Sequence, residues 1–529
     1  MGNIYQYLKP VDFIIVISYL LILTALGYWV SFVKKKDKNE SLFLAGHSLG
    51  WTSIGLNMWG TNVGPSMLIA SASIGYTTGL VAGNFAWYAF IFIFLLAFVF
   101  APRYLGAKVI TLPEFMGKRF GQSTRNLLAW YSLITILISW LALTLFAGGI
   151  LVHQILNLPM WLSVVILVAI ASFFTIAGGL KAIAYTNVFQ MSLLIVVSLV
   201  LTIVGVMKAG GPMAMYAKTP HMYWNLLRPM NDPNYPCLAI LLGYPIMGVW
   251  FWCTDQSMVQ SVLGAKNLKQ GQLGANFIGW LKILDVALFI IPGIACFIIF
   301  PHLKNPDEAY MTMVTRLFPA GMTGLVMAVL IAALISTVDS ALNSLSTVFT
   351  MDIYVKKYKP QASQKEIIKI GRIVSASGAL IAVFLTLAID CIKGLKLFDI
   401  FQSVLSFLAP PMSVVFLFGI LWKKTTTRAA NFTLTGGTML SIGIGILYLW
   451  VFPQAKYHCW PHFLLLSFYI FVVLSILAFL ISFFDKKAGD QDKNTLKMEN
   501  LAKPNKQVWI AWILLIIVMI SLYLIFDGH

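Results

Sequence analysis

The chain has 529 residues, of which 59% are hydrophobic and 11% are charged, and its formal net charge is +18. A soluble protein carries roughly 25% charged residues, so this composition excludes a soluble enzyme, a disordered scaffold and a small disulfide-stabilised protein. In a soluble protein the positive charge would indicate nucleic-acid binding; here its meaning depends on where the basic residues stand along the chain.

Apolar stretches long enough to cross a bilayer, for which about 20 residues are needed, recur along the whole chain. Barrel strands have about 10 residues and alternate in hydropathy, so the length of the stretches indicates helices. They predict fourteen membrane-spanning helices, at 11–33, 51–76, 79–103, 127–155, 158–178, 185–207, 236–262, 277–301, 322–355, 366–389, 395–422, 426–452, 462–484 and 507–526.

The basic residues divide unequally between the two sides of the predicted membrane. Of the 37 Lys and Arg residues, 27 stand in alternate loops on one side, and the positive-inside rule makes that side cytoplasmic. Both termini are therefore expected to be extracytoplasmic, and the charge indicates orientation rather than nucleic-acid binding. The segment 485–506 is predicted to be a solvated cytoplasmic linker. Short loops favour a bacterial inner-membrane protein.

Two predicted spans contain helix breakers at membrane depth. The second span contains Gly60–Ser66 and the seventh contains Gly243–Gly248. The two spans stand five apart in order, so they cross the membrane in opposite directions. Paired interruptions in inverted segments indicate the midplane site of a secondary transporter. The alternative is ordinary kinking, because Gly and Pro are frequent in membrane helices.

Polar groups in the ninth span point to a cation site. Ser336, Asp339 and Ser340 share one helical face by their spacing, with Thr337 beside them. Hydroxyl and carboxylate oxygens suit a small hard cation. Each hydroxyl could instead bond back to a carbonyl four residues earlier, which would not account for Asp339. The sequence has no HExxH motif, P-loop or His/Cys cluster, so nothing supports a metalloenzyme or an ATP-driven pump.

Other charged residues also fall within the predicted spans, where ionisable groups are costly and are candidates for function. Lys282 and Asp285 are three residues apart, so the alternative is that they simply pair. Asp255, Asp352 and Asp399 could equally lie at helix ends in structural roles.

Six segments carry a resemblance to a known family, and they lie between about residues 41 and 425. They are SLFLAGHSLGW, LPEFMGKRFG, FTIAGGLKAIAYTNVFQ, WFWCTDQSMVQSVLGAKN, NSLSTVFTMDIY and FQSVLSFLAPPMSVVFLFGILWKK. Together they resemble the solute:sodium symporter family, and specifically its sodium/glucose cotransporter branch. The resemblance implies an all-α membrane protein with a five-plus-five inverted repeat (LeuT-like), one extra helix before it and three after. The implied divisions are an extra helix and basic loop (1–40), a first repeat (51–207), a second repeat (236–422) and three C-terminal helices (426–529).

The resemblance also implies a sodium site, with Na⁺ as the coupling ion. Its ligands would be the carbonyls of Gly60, Val63 and Ala333 and the hydroxyls of Ser336 and Thr337. Relatives that use a second sodium commonly carry an aspartate where this chain has Asn187, in YTNVFQ. The hypothesis is that the carboxylate has moved, so that Asp339 holds a second cation with Asn187 and Ser340. The rival interpretation is a proton-accepting or merely structural Asp339.

The solute site that the resemblance implies is partly retained. Asn62, Trp252, Lys282 and Gln402 match polar or stacking positions of sugar-transporting relatives. Three positions depart from the family: Phe251 replaces an inner-gate tyrosine, Met67 a polar residue, and Ala86 a glutamate that receives sugar hydroxyls. Without that acceptor, recognition of glucose or galactose in the usual manner is in doubt. A neutral monosaccharide or polyol is the favoured solute, and an anionic sugar such as a uronate is the alternative.

The sequence therefore predicts a sodium-coupled symporter that works by alternating access, and not an enzyme. Its expected partners are a small solute, Na⁺ and the lipid bilayer, without nucleic acid and with the oligomeric state open. A transporter-like sensor is a second class, disfavoured by the three residues that follow the last span. A channel is a third class, disfavoured because broken helices form an occluded site rather than a lined pore.

Overall fold

The computed structural model describes residues 8–30, 43–232, 234–390, 397–453, 457, 460–485 and 505–526. In that part of the chain the regular structure is helical, apart from one isolated bridge between Leu49 and Ala265. Eleven of the described helices are long and apolar enough to cross a membrane. The predicted all-α membrane fold is confirmed. The count of fourteen spans and the boundaries of the repeats stay predictions.

The helices of the first half are often joined end to end. Two π-helical turns, Leu96–Phe100 and Ile136–Ala142, connect neighbouring α-helices into longer rods. The α-helices are α1 (Pro10–Tyr28), α2 (Trp51–Asn62), α3 (Pro65–Thr78), α4 (Gly83–Trp87), α5 (Ala89–Leu95), α6 (Ala101–Gly106), α7 (Leu112–Phe120), α8 (Gln122–Thr135), α9 (Leu143–Leu156), α10 (Met160–Lys208) and α11 (Pro212–Lys218).

The second half follows the same pattern. A π-helical turn joins α14 to α15, and another, Phe349–Tyr358, extends α17. The α-helices are α12 (Tyr244–Val249), α13 (Gln256–Leu263), α14 (Leu268–Asp285), α15 (Ile291–Ile299), α16 (Ala309–Leu317), α17 (Met322–Val348), α18 (Gln364–Asp390), α19 (Leu397–Leu421), α20 (Thr427–Phe432), α21 (Thr438–Ile446), α22 (Phe463–Phe484) and α23 (Lys506–Ile525).

The predicted break in the second span is confirmed. Helix α2 ends at Asn62, Val63 leaves helical geometry with φ −88° and ψ 85°, and α3 begins at Pro65. Proline is favoured at the first position of a helix because its missing N–H would have no partner there. The last carbonyls of α2 have no following helical N–H groups to bind, so they are available to a neighbouring helix or a ligand.

The seventh span is also broken, but the predicted position of the break was wrong. Gly243–Gly248 stays helical, because the π-helical turn Ala239–Gly243 leads into α12 and Pro245 lies in the first turn of α12. A proline in the first turn leaves no hydrogen bond unmade. The chain leaves helical geometry at Asp255 instead, with φ −84° and ψ 128°, and α13 begins one residue later.

The spans predicted at 158–178 and 185–207 meet at a sharp bend within α10. Gly179 has φ 59° and ψ −156° at this bend, a conformation that a residue with a Cβ atom adopts only with strain. The second half of α10 carries Asn187 against α2.

Helix α17 lies at the centre of the molecule. It packs against α1, α2, α10 and α18, and almost all of its residues are buried. A helix that is buried on all sides presents its polar residues to protein rather than to lipid. Outer helices instead expose large apolar side chains, such as Phe384 of α18 and Phe483 of α22. The polar face of α17 is therefore positioned to form an internal site.

Candidate solute and cation site

The broken end of α2 meets the polar face of α17. The Thr337 hydroxyl lies 3.3 Å from the Gly60 carbonyl oxygen and 3.3 Å from the Ala333 carbonyl oxygen. A methyl group on Gly60 would lie 2.9 Å from the Ser336 hydroxyl, so this oxygen faces the glycine backbone. The structure thus brings together four of the five residues predicted to bind sodium, and Val63 directly follows the last residue of the helix that carries Gly60.

The oxygens at this junction are suited to a small hard cation. Ser336 is fully buried, and its hydroxyl has no hydrogen-bond partner among the described residues. A buried polar atom without a partner is costly and calls for an explanation. Carbonyl and hydroxyl oxygens are the ligands that hard cations prefer, and a bound cation would explain why the hydroxyl of Ser336 is left open.

Asp339 lies one turn further along α17 and is fully buried. Neither of its carboxylate oxygens has a hydrogen-bond partner within the part of the chain that the structure describes. The Thr175 hydroxyl donates to its main-chain carbonyl at 3.3 Å and so leaves the carboxylate open. A lone ionised carboxylate is too costly to bury, so this group needs either a cation or a proton.

The other two residues predicted for a second cation are held by α2. Asn187 donates through its amide nitrogen to Asn57 Oδ1 at 2.5 Å, and Asn57 donates to Ser261 Oγ at 2.5 Å. The Thr61 hydroxyl donates to Ser340 Oγ at 2.8 Å. The amide oxygen of Asn187 has no hydrogen-bond partner among the described residues. The structure therefore contains the polar groups of the hypothesis but shows no hydrogen bond that joins Asn187 or Ser340 to the Asp339 carboxylate.

A cavity of about 1560 Å³ lies beside the cation site. It exceeds the roughly 300–1,000 Å³ of an ordinary ligand pocket, because it extends from the broken helices to surface loops around Met230 and Asp307. Thr337 lines the cavity and links it to the cation site. All of the residues predicted to bind solute also line it, namely Asn62, Met67, Ala86, Phe251, Trp252, Lys282 and Gln402.

Lys282 and Asp285 form a buried ion pair in the wall of this cavity, as the sequence spacing allowed. The Lys282 ammonium also donates to Asn62 Oδ1 at 2.8 Å, and Asp285 Oδ1 accepts the indole N–H of Trp59 at 2.7 Å. Lys282 is 1% exposed and Asp285 is 2% exposed. Each charge is thus neutralised by the other and held by a further hydrogen bond.

Aromatic side chains form another part of the wall. The ring of Phe251 lies between Trp140, with centroids 5.3 Å apart, and Trp252, with centroids 5.0 Å apart. The Lys282 ammonium stands 5.8 Å from the Trp252 ring centroid. The Tyr244 hydroxyl donates at 2.6 Å to the carbonyl of Phe85, the residue next to Ala86. Flat aromatic faces of this kind suit the apolar face of a sugar or cyclitol ring.

The outer end of the cavity carries two carboxylates. Asp232 and Asp307 line it together with His462, whose ring nitrogen accepts the backbone N–H of Leu464 at 3.3 Å. Asp307 accepts the Ser73 hydroxyl at 2.7 Å, and the charge of Asp232 interacts with that of Arg228. This end of the cavity is therefore polar, in contrast to its aromatic wall.

Two further intramembrane acids, Asp255 and Asp352, bind groups that hold the fold together. Asp255 caps α13 by accepting the backbone N–H groups of Ser257 and Met258, and it also accepts the indole N–H of Trp140. Asp352 pairs with Arg125 at 2.7 Å. The side chain of Asp399 lies outside the described residues. The alternative of helix-end or structural roles is confirmed for Asp255 and Asp352.

The sequence analysis did not predict Trp59 and Asn57, two residues of α2 whose hydrogen bonds join α2 to other helices. Trp59 stands beside Gly60 in the chain, yet its hydrogen bond to Asp285 spans 226 positions. Asn57 joins α2 to both α10 and α13. Asn57 could have been found from the sequence, because it is a polar residue about one turn before the predicted helix break at Gly60. Nothing in the sequence pattern indicated that Trp59 would bind Asp285.

Comparison with known proteins shows similarity to sodium-coupled symporters. A family model described as sodium:solute symporter family matches residues 42–437. Sodium/myo-inositol cotransporter 2 of Homo sapiens is 31% identical over 483 residues, which cover 84% of this chain and 71% of that protein. Sodium/glucose cotransporter 1 of Ovis aries is 31% identical over 527 residues, which cover 90% of this chain and 79% of that protein.

A solved structure extends the likeness to the fold. It is the substrate-bound outward-open state of a Na⁺-coupled sialic acid symporter, which superposes with a TM-score of 0.77. The two chains are 18% identical, and the match covers 90% of this chain and 98% of that chain. At this identity the likeness supports the fold alone, and the chemistry of the site has to be argued from the residues of this chain.

Proposed function

This chain belongs to the sodium:solute symporter family, a family of Na⁺-coupled membrane transporters rather than enzymes, and we propose that it imports a small neutral hydroxylated solute, a monosaccharide or a polyol, by alternating access. The observation that carries the proposal is the single cavity that all seven predicted solute residues line, with Thr337 of the cation site in the same wall. Solute and cation would therefore bind side by side at the broken end of α2.

The chemistry of the cavity favours a solute with many hydroxyl groups. The amides of Asn62 and Gln402 offer both donors and acceptors, while Lys282 and Asp285 offer one charged group of each kind. The Trp252 and Phe251 rings provide apolar faces. Relatives named sodium/myo-inositol and sodium/glucose cotransporters support the same class of solute. An anionic sugar remains the alternative.

We assign the main Na⁺ site to the carbonyls of Gly60, Val63 and Ala333 and the hydroxyls of Ser336 and Thr337. Support comes from the 3.3 Å contacts of the Thr337 hydroxyl and from the unpartnered Ser336 hydroxyl. The ligands come from two helices that meet only where α2 is broken. A bound cation would therefore hold α2 against α17 and bias the transporter towards the arrangement in which the solute cavity is open.

Coupling then follows from shared geometry. Gly60 and Val63 stand on the same broken segment as Asn62, which belongs to the solute site, so ordering that segment with Na⁺ prepares the solute site. The coupling is reciprocal, and the solute must tighten Na⁺ binding by the same factor. The driving force is the sodium gradient plus about 2.3 kcal/mol per charge per 100 mV of membrane potential. Release on the opposite side completes the cycle.

We further propose that Asp339, with Asn187 and Ser340, holds a second cation. The support is the fully buried carboxylate without a partner among the described residues, together with the open amide oxygen of Asn187. Sodium-dependent uptake in proteoliposomes tests this. A Hill coefficient near two that falls to one in Asp339→Asn supports the second cation. A coefficient of one in both proteins contradicts it and leaves a proton or a structural role for Asp339.

Counterflow of labelled solute tests the proposed function itself. Purified protein in proteoliposomes is given a panel of sugars, polyols and uronates, with Na⁺ or with choline as the external cation. The expected result is saturable counterflow and Na⁺-dependent uptake of a neutral sugar or polyol. Uptake that does not saturate would indicate a channel, and solute binding without counterflow would indicate a sensor. Preferential uptake of a uronate would support the anionic alternative.

A further inference from the structure

The ion pair in the cavity wall adds a carboxylate to the solute site. Asp285 ends α14, lines the cavity and is bound by Lys282 and Trp59. Lys282 binds one carboxylate oxygen of Asp285 and Trp59 binds the other. Each carboxylate oxygen can accept a second hydrogen bond. The carboxylate is thus fixed in orientation by two donors and keeps acceptor capacity towards the cavity.

The position of this carboxylate matters because no other carboxylate among the described residues lines the inner cavity. Asp232 and Asp307 also line the cavity, but they belong to the loops at its outer end. Ala86, where the family resemblance places a glutamate that receives solute hydroxyls, contributes only a methyl group. Trp87 links this region to α14, because its indole N–H points to the Ile283 carbonyl at 3.4 Å. The two helices that carry Ala86 and Asp285 are therefore in contact around the same cavity.

The charge balance of the inner cavity follows from the same pair. Lys282 is the only lysine in the described lining, no arginine joins it, and Asp285 neutralises its charge. A uronate would bring a further negative charge that no unpaired lysine or arginine of the described lining balances, so the bound Na⁺ would be its only counter-charge. Burying an unbalanced charge is strongly unfavourable, whereas a neutral polyol can donate to Asp285 and accept from Lys282 at no net charge.

We propose that Asp285 is the acceptor carboxylate of the solute site, and that its ion pair with Lys282 makes the site select neutral polyhydroxylated solutes and reject uronates. The inference rests on the proposed function and makes it more specific. It favours a neutral sugar or polyol over an anionic sugar, a choice that Lys282 alone left open. It also assigns the hydroxyl acceptor to α14, which contacts α4, the helix that carries Ala86.

A purely structural role for the pair makes a different prediction. If the pair only held α14 against α2 and did not face the solute, the loss of Asp285 would lower protein stability or the transport rate for every solute in the same proportion. As a solute ligand it determines the ratio between neutral and anionic solutes. The decisive measurement is therefore a selectivity ratio rather than an activity.

The first experiment uses the unaltered protein in proteoliposomes with an inward Na⁺ gradient. Uptake of labelled glucose or myo-inositol, whichever is transported better, is measured in competition with unlabelled glucose, myo-inositol and glucuronate. We expect glucuronate to compete at least about 10-fold more weakly than the neutral solutes. Equal competition by glucuronate overturns the inference while the proposed function stands. Absence of Na⁺-dependent uptake of every solute overturns the proposed function, and the inference with it.

The second experiment shifts the charge balance. Asp285→Asn keeps the shape of the side chain but leaves Lys282 unneutralised, so we expect affinity for the neutral solute to fall about 10- to 100-fold and the selectivity ratio to move towards glucuronate. Adding Ala86→Glu to this variant returns a carboxylate to the cavity and should restore the preference for neutral solute.

Trp59→Phe is the matched control, because it removes a hydrogen bond from Asp285 without changing the charges and should leave the selectivity ratio unchanged. An unchanged ratio in Asp285→Asn overturns the inference.

Discussion

The hydroxyl oxygen of Thr337 lies 3.3 Å from the carbonyl oxygen of Gly60, although 277 positions separate them in the chain. This contact joins the broken end of α2 to the central helix α17. We expect Thr337→Val, which keeps the branched shape and removes the oxygen, to raise the Na⁺ concentration for half-maximal uptake about 10-fold. Thr337→Ser retains the hydroxyl and should stay close to the unaltered protein. Equal Na⁺ dependence in all three proteins would remove Thr337 from the sodium site.

Gly60 is a second point at which the cation site can be probed. A Cβ atom at this position would lie 2.9 Å from Ser336 Oγ and 3.0 Å from Met191 Cγ, so the serine hydroxyl would have to turn away from the carbonyls. Gly60→Ala is expected to weaken Na⁺ dependence more than it weakens folding. Gly443→Ala is the control, because a Cβ atom there meets nothing within 4 Å. If the two alanine variants show the same apparent Na⁺ affinity, Gly60 has no special place in the site.

Parts of this site were predictable because they depend on the helix alone. Helical spacing of 3.6 residues per turn places Ser336 and Ser340 on one face, and the same geometry allows Lys282 to meet Asp285. The contact between Trp59 and Asp285 depends on how α2 packs against α14, which no local pattern encodes. The sequence placed the break of the seventh span at Gly243–Gly248 rather than at Asp255. Pro245 suggested a break, but it lies in the first turn of α12, after a π-helical turn, where a proline leaves no hydrogen bond unmade.

Asp12 of the first helix stabilises the beginning of α17. Its Oδ1 atom accepts the backbone N–H groups of Gly321 and Gly324, each at 2.7 Å, and its side chain is buried. Unpaired N–H groups at a helix start favour a negative partner. We expect Asp12→Ala to lower the stability of the protein in detergent by about 1–3 kcal/mol, measured as a fall in melting temperature.

Asp12→Asn separates the charge from the hydrogen bonds, because its amide oxygen can still accept from the same groups. Its melting temperature should lie between those of the unaltered protein and Asp12→Ala. Since α1 contributes no residue to the cation site, the Na⁺ dependence of uptake per folded molecule should change little. A melting temperature of Asp12→Ala equal to that of the unaltered protein would mean that α17 starts equally well without this cap.

The partly exposed Arg125 pairs with the buried Asp352 on the side of the molecule that the loop charges predict to be cytoplasmic. The Arg125 Nε atom lies 2.7 Å from Asp352 Oδ1, and the Thr111 hydroxyl donates to the same oxygen at 2.9 Å. The pair joins α8 to the π-helical extension of α17, at the end opposite the mouth of the cavity. Arg125→Gln would leave the carboxylate buried without its cation, which costs about 3–5 kcal/mol.

The double variant Arg125→Gln with Asp352→Asn tests whether the cost comes from the stranded charge. Two amides can bond to each other, so the double variant should recover much of the melting temperature that Arg125→Gln loses. Lys359 and Glu366 form the matched control, because this exposed pair at 2.6 Å should contribute little. If Arg125→Gln is no less stable than Lys359→Gln, the pair of Arg125 and Asp352 does not hold these helices together. A double variant as unstable as Arg125→Gln would show that the arginine acts through packing rather than through its charge.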